Sequence, residues 1–137
     1  MKVFFDSSAL AKRYVDEKGS DKVEEICRKT DTLVVSIICL SEIISALNRL
    51  RRKKILNKNQ YKKIKSALIK DLETADLYNI SSRVIELSID LLERYALRAM
   101  DSFHIGCAII ADVELFVSSD QRQLAAAKKA GLKIQQV

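Results

Sequence analysis

The chain has 137 residues, 48% of them hydrophobic and 31% charged, with a formal net charge of +6. That size suits one ordinary globular domain and is short for two, so residues 1–137 are expected to form a single domain, and the balance is globular rather than disordered. The longest uncharged stretches, such as Thr32 to Ser41, are too short to span a bilayer, and "MKVFFDSSALAKR" meets Asp6 before an apolar signal region develops, so a soluble, cytoplasmic protein is expected.

In chain order, "KVFFD" (Lys2 to Asp6) is a β-branched and aromatic run that predicts a first strand. "SALAKRYVDEKG" reads as a helix closed by Gly19, and Asp21 to Lys29 as a second, shorter helix. The continuous apolar run Thr32 to Ile37 suits a strand buried on both faces. Helical patterns follow over Ile38 to Lys54, Lys58 to Thr74 and Ser81 to Tyr95, with a short strand at Leu77 to Ile80 between the last two. Asp101 to Ala111 is helical and apolar nearly all round, which implies burial. "ELFVSS" predicts a strand, Gln121 to Ala130 a helix closed by Gly131, and "LKIQQV" a last short strand.

Strands alternating with helices make this an α/β chain with a mostly parallel sheet covered on both faces. In such sheets functional groups gather beyond the carboxyl ends of the strands, where strand order reverses. Asp6 and Asp120 each stand at a predicted strand end, Asp101 opens the apolar helix, and Glu42 lies on the first turns of the helix after the second strand. For any one of the three aspartates, N-capping of the following helix is a sufficient explanation. Glu42 has no capping explanation, sitting among Ile38, Leu40, Ile43 and Ile44, and its plain alternative is a partly exposed helix flank. Four acids brought together would repel unless a cation resolves them, and a hard divalent ion, Mg²⁺ or Mn²⁺, takes such oxygen ligands.

The charge is uneven as well. Between Arg49 and Lys65, "RLRRKKILNKNQYKKIK" carries nine Lys or Arg and no acid. Arg49, Arg51, Arg52, Lys53 and Lys54 at its start are candidates to touch RNA or an acidic partner, against the plain alternative of a solvated helical face. An acid-lined metal site beside a basic surface suggests hydrolysis of nucleic-acid phosphodiesters. His104 is the only histidine, so a paired-histidine ribonuclease mechanism has no residues to use. It reads as a packing residue, or as one that supports an acid or water from behind. Cys27, Cys39 and Cys107 are odd in number and widely spaced, which argues for buried thiols rather than disulfides or a zinc site.

The segments "VFFDSSAL" with Asp6, "SEI" with Glu42, "RAMDSFHIGCA" with Asp101 and "FVSSDQRQLAAAKKAG" with Asp120 occur in the order of the PIN-domain family. The chain resembles that family over essentially its whole length, and more closely its VapC-type toxin ribonucleases. The resemblance implies a three-layer αβα sandwich around a central mostly parallel β-sheet, and Mg²⁺- or Mn²⁺-dependent endoribonuclease activity. It also implies a cognate antitoxin protein and a homodimer. Asp6, Glu42, Asp101 and Asp120 would then be the catalytic, metal-binding acids. Ser119 falls at the family's small hydroxyl position, and Ser7 where a hydroxyl often follows the first acid. Two further roles fit the same resemblance: a housekeeping PIN nuclease of RNA maturation without an antitoxin, and a catalytically silent RNA-binding scaffold. A receiver-like signalling module would need adjacent acids at the first strand end, where "VFFDSS" supplies one.

Overall fold

The computed structural model describes all residues, Met1 to Val137. Five parallel strands form one sheet in the order β3-β2-β1-β4-β5: β1 Lys2–Phe5, β2 Thr32–Ser36, β3 Asp76–Tyr78, β4 Leu115–Ser118 and β5 Ile134–Gln136. Seven helices connect them: α1 Ser7–Ala11, α2 Ser20–Arg28, α3 Cys39–Arg52, α4 Lys58–Glu73, α5 Ser82–Arg94, α6 Ala99–Ala111 and α7 Gln121–Lys129. The fold is therefore the expected α/β sandwich with a wholly parallel sheet.

The two-residue period of a strand sorts its side chains to opposite faces, and this chain fills both. Val3, Phe5, Val35 and Val117 pack with Leu10, Val23, Ile43, Leu47 and Leu68 from α1 to α4. Phe4, Val34 and Phe116 pack with Val84, Leu91, Ile105 and Leu124 from α5 to α7 on the other face. Phe4 and Phe116 stack at 5.3 Å with rings 8° from parallel. Continuous apolar runs such as Leu33 to Val35 are thus explained, since every position of a central strand meets a helix layer.

Strand order reverses between β1 and β4. From β1 the chain steps outward to β2 and β3, then returns across the sheet to β4 and steps outward to β5. The carboxyl ends of β1 and β4 consequently flank a gap that no connection covers, and Asp6 and Asp120 stand at its edges.

Two sequence expectations are corrected. The helix expected to run to Gly19 stops at Ala11. Tyr14 Oη donates to Asp71 Oδ2 on α4 at 2.7 Å, and Ser20 Oγ accepts the Glu17 N–H at 2.9 Å. These contacts hold residues 12–18 in turns in place of a helical ladder. Gly19, at φ 96°, caps the start of α2 rather than the end of α1, a left-handed position that glycine fills without steric cost. The second correction concerns Asp101. Helix α6 begins two residues earlier, with Arg98 as N-cap and the Ser102 N–H closing onto Arg98 O at 3.1 Å. Asp101 lies inside the first turn and caps nothing. Elsewhere the differences are at element ends; the short third strand, for example, is shifted to Asp76–Tyr78.

Candidate active site

Asp6 follows β1 immediately and is 4% exposed. Its Oδ1 accepts the Ala9 N–H at 2.9 Å, capping α1 as the sequence suggested. Ser8 Oγ bridges both carboxylate oxygens at 2.8 and 2.9 Å, and Ser119 Oγ donates in turn to Ser8 Oγ at 2.7 Å. Burial nevertheless outweighs these bonds and raises the Asp6 pKa above its ordinary value.

Asp120 follows the end of β4 and caps α7, accepting from the Arg122 and Gln123 N–H groups at 2.8 and 3.2 Å through Oδ1 alone. Behind it, Ser118 Oγ donates to Gln123 Oε1 at 2.7 Å, and Gln123 Nε2 reaches the Asp101 carbonyl at 3.3 Å. Gln123 is completely buried, so it ties the Asp120 corner to the first turn of α6.

Glu42 lies in the first turn of α3. Its Oε1 receives Ser7 Oγ at 2.7 Å and His104 Nε2 at 2.6 Å. Desolvation pushes the Glu42 carboxyl up, but the hydrogen bonds from His104 and Ser7 and the nearby positive charge together hold it below the ordinary value. His104 is 1% exposed, and its Nδ1 has no hydrogen-bond partner. A bare lone pair is the cheaper atom to leave there, which places the proton on Nε2 and makes Glu42 the acceptor. Asp101 pairs with Arg98, whose Nε lies 3.3 Å from Oδ2.

All four acids line one cleft of about 770 Å³, together with Ser7, Ser8, Arg49, Arg98, His104 and Ser119. The five candidate cations divide. Arg49 reaches the cleft and Lys53 an adjoining groove. The Arg51 guanidinium sits 5.1 Å over the Tyr61 ring, and Arg52 and Lys54 are exposed in neither place.

Residues that sequence reasoning did not single out are Ser8, Arg98 and Gln123. Ser8 could be found from "DSS", since an Asp followed two residues later by Ser is a local side-chain pairing pattern. Arg98 stands three residues before Asp101, a helical i,i+3 pair of opposite charge. Gln123 left no signal, because its role depends on where α6 passes.

As a hard-ion site the donor set has the right chemistry. Glu42 Oε2, Asp101 Oδ1 and Asp120 Oδ2 receive no hydrogen bond from the protein, and the buried Asp6 carboxylate calls for a cation. No three His, Cys, Asp or Glu side chains converge as a preformed ion cage, so the acids are gathered but not closed.

Comparison with known proteins assigns the chain to a family. Residues 3–129 match the PIN domain. The chain belongs to the PIN-domain family. It is 29% identical over 134 residues to Ribonuclease VapC46 of Mycobacterium tuberculosis (strain ATCC 25618 / H37Rv), covering 96% of this chain and 95% of that protein. Among solved structures, the PIN fold seen here resembles M. tuberculosis VapC20, a Sarcin-Ricin loop cleaving toxin, with a TM-score of 0.72 at 14% identity over 96% of each chain. It also resembles a toxin-antitoxin complex from Klebsiella pneumoniae, with a TM-score of 0.70 at 16% identity, covering 90% of this chain and 91% of that one.

Proposed function

We propose that this PIN-domain chain is a metal-dependent endoribonuclease, the toxin component of a toxin–antitoxin pair. The observation that carries the proposal is the meeting of Asp6, Glu42, Asp101 and Asp120, from four separate segments, in one cleft at the switch point of the sheet. The likeness to Ribonuclease VapC46 supports RNA as the substrate. Structural likeness to toxin–antitoxin assemblies, among them the VapBC complex of Salmonella typhimurium, supports an antitoxin partner. No helix is long and apolar enough to cross a membrane, and action in the cytoplasm belongs to the toxin reading. A homodimer belongs to the same reading, and the exposed aliphatic stripe Ile85, Ile89 and Leu92 on α5 offers surface for it.

The four acids would hold Mg²⁺ or Mn²⁺. Bound there, the ion would acidify a water for in-line attack and neutralise charge on the phosphate. The chain's own contribution is positioning. Ser7 and His104 fix one oxygen of Glu42 and leave the other facing the cleft. The Ala9 N–H and Ser8 fix Asp6, and the first turn of α7 fixes Asp120. Arg49 lines the same cleft and supplies a guanidinium that would meet substrate phosphate. Water attacks phosphorus, the bond to the 3′ oxygen breaks, and that oxygen takes up a proton. The products are a 5′-phosphate and a 3′-hydroxyl. His104 donates to Glu42 and is the only histidine, so cyclisation through a histidine pair is not available.

The test is cleavage of RNA by the purified chain in Mg²⁺ or Mn²⁺, with mapping of the ends formed. Excess EDTA and Asp101→Asn should each abolish cleavage, and new ends should carry 5′-phosphate. Undiminished cleavage in EDTA, or 2′,3′-cyclic phosphate ends, would overturn the reading. Recovery of a small protein bound to the chain from its native host, able to suppress cleavage, separates the toxin role from RNA maturation.

A further inference from the structure

Arg98 is placed unlike any other cation of the molecule. It is the only Lys or Arg within ion-pair distance of one of the four acids, through Nε to Asp101 Oδ2 at 3.3 Å. The Asp101 side chain is 16% exposed, whereas that of Arg98 is 83% exposed. The pair therefore joins a largely buried carboxylate to a solvated arm. Of the five guanidinium donors only Nε is engaged, and both terminal nitrogens are free.

Its position in the cleft matters equally. Arg98 lines the main cleft and also a second depression of about 670 Å³ formed with Ala96, Leu97, Gln121 and Arg122, and Asp101 and Asp120 form the ridge shared by the two. A polyanion crossing the acids from one depression to the other must pass the Arg98 fork. A planar guanidinium suits phosphate as well as carboxylate, and an exposed ion pair is weak enough to exchange one for the other.

We propose that Arg98 is an exchangeable counterion, pairing with Asp101 while the acid cluster is bare and gripping a backbone phosphate of the RNA once a divalent cation has taken over that charge. The proposal rests on the metal-dependent nuclease reading above and adds a residue with two opposed effects. Arg98 competes with the metal for Asp101, and it assists the substrate. A residue that merely supported the first turn of α6 would not produce opposed effects.

The experiment measures Mn²⁺ binding to the RNA-free protein by calorimetry, and the salt dependence of RNA cleavage at saturating Mn²⁺, for wild type, Arg98→Ala and Arg98→Lys. Arg98→Ala should bind Mn²⁺ about three- to tenfold more tightly, the scale of one partly screened charge pair. The same variant should raise KM for RNA about three- to tenfold and flatten the logarithmic salt slope by about one contact. Arg98→Lys keeps the charge and should bind Mn²⁺ as wild type does. Unchanged or weaker Mn²⁺ binding by Arg98→Ala, or an unchanged salt slope, overturns the proposal. Wild-type protein that neither binds Mn²⁺ nor cleaves RNA overturns the nuclease reading itself, a result distinct from a normal wild type beside an indistinguishable Arg98→Ala.

Discussion

His104 Nε2 lies 2.6 Å from Glu42 Oε1, joining α6 to α3 across 62 residues of sequence. The imidazole is buried and edge-on to Phe4 at 5.9 Å between ring centres. The carboxylate it holds is the partly exposed member, with 31% of its side chain open to solvent. One oxygen of Glu42 is thereby anchored to the core while the other faces the cleft.

His104 consequently acts through Glu42. Removing the donor with His104→Leu should lower cleavage about 10- to 100-fold, the usual cost of losing a support behind a metal-binding side chain. Stability should change by less than about 1.5 kcal/mol, because leucine is of similar volume, the orphaned Nδ1 disappears and Glu42 can hydrate. His104→Gln, which keeps a donor, should recover part of the activity. Parallel urea melts and cleavage rates check this; equal losses in both measurements would mark His104 as packing alone.

Asp6 carries the opposite balance. Its buried charge is unfavourable in the absence of a cation, and asparagine can still cap α1 by accepting the Ala9 N–H. Asp6→Asn should abolish metal-dependent cleavage while raising the Tm of the metal-free protein by about 3–6 °C, on the order of 1 kcal/mol at this size. The pH dependence has a definite sign. The folded Asp6 pKa lies above its ordinary 3.8, so the folded state holds the proton more tightly and ionisation costs stability. The advantage of Asp6→Asn should vanish below that value and grow as pH rises through the folded pKa. Melting curves in EDTA from acid to neutral pH give the answer, and a gain largest at low pH would contradict it.

The thiols should be inert in the folded protein. Burial pushes Cys39 up to about 12 and Cys107 to about 11, and it raises Cys27 as well. Little thiolate exists at neutral pH, so alkylation of Cys39 and Cys107 should run at least about 100-fold slower than for a free thiol. Mass spectrometry after brief iodoacetamide treatment should find these two unmodified in buffer and all three cysteines modified in denaturant. Rapid labelling of native Cys39 would be the contrary result.

Gln123→Ala should cost about 1–3 kcal/mol, since it strands the buried Ser118 hydroxyl and frees the Asp101 carbonyl. Because Gln123 links the Asp120 corner to α6, cleavage should fall with stability. A denaturation midpoint matching wild type would exclude the link.

The layers were legible because each depends on local pattern. Apolar strands flanked by amphipathic helices specify a covered parallel sheet, and Asp6 and Asp120 reveal themselves by following strands and preceding helices. Asp101 was found for a partly different reason from the one that holds. At the helix start N-capping is a sufficient role for it, but the helix begins at Ala99 and leaves the carboxylate free for the cleft and for Arg98. Gly19 shows the same limit: a left-handed glycine can end one helix or start the next, and the anchoring of Tyr14 to Asp71 decided which.

By itself, then, the sequence determined the order of strands and helices, the parallel sheet and the four acids near its carboxyl edge, though not every helix end, since hydrophobic period and residue chemistry are properties of short segments. Tertiary structure alone decided who touches whom: His104 and Ser7 on one oxygen of Glu42, Ser119 reaching Asp6 through Ser8, Gln123 behind Asp101, and Arg98 between two depressions. Those pairings join segments tens of residues apart, and only the packing of helices onto the sheet fixes their distances.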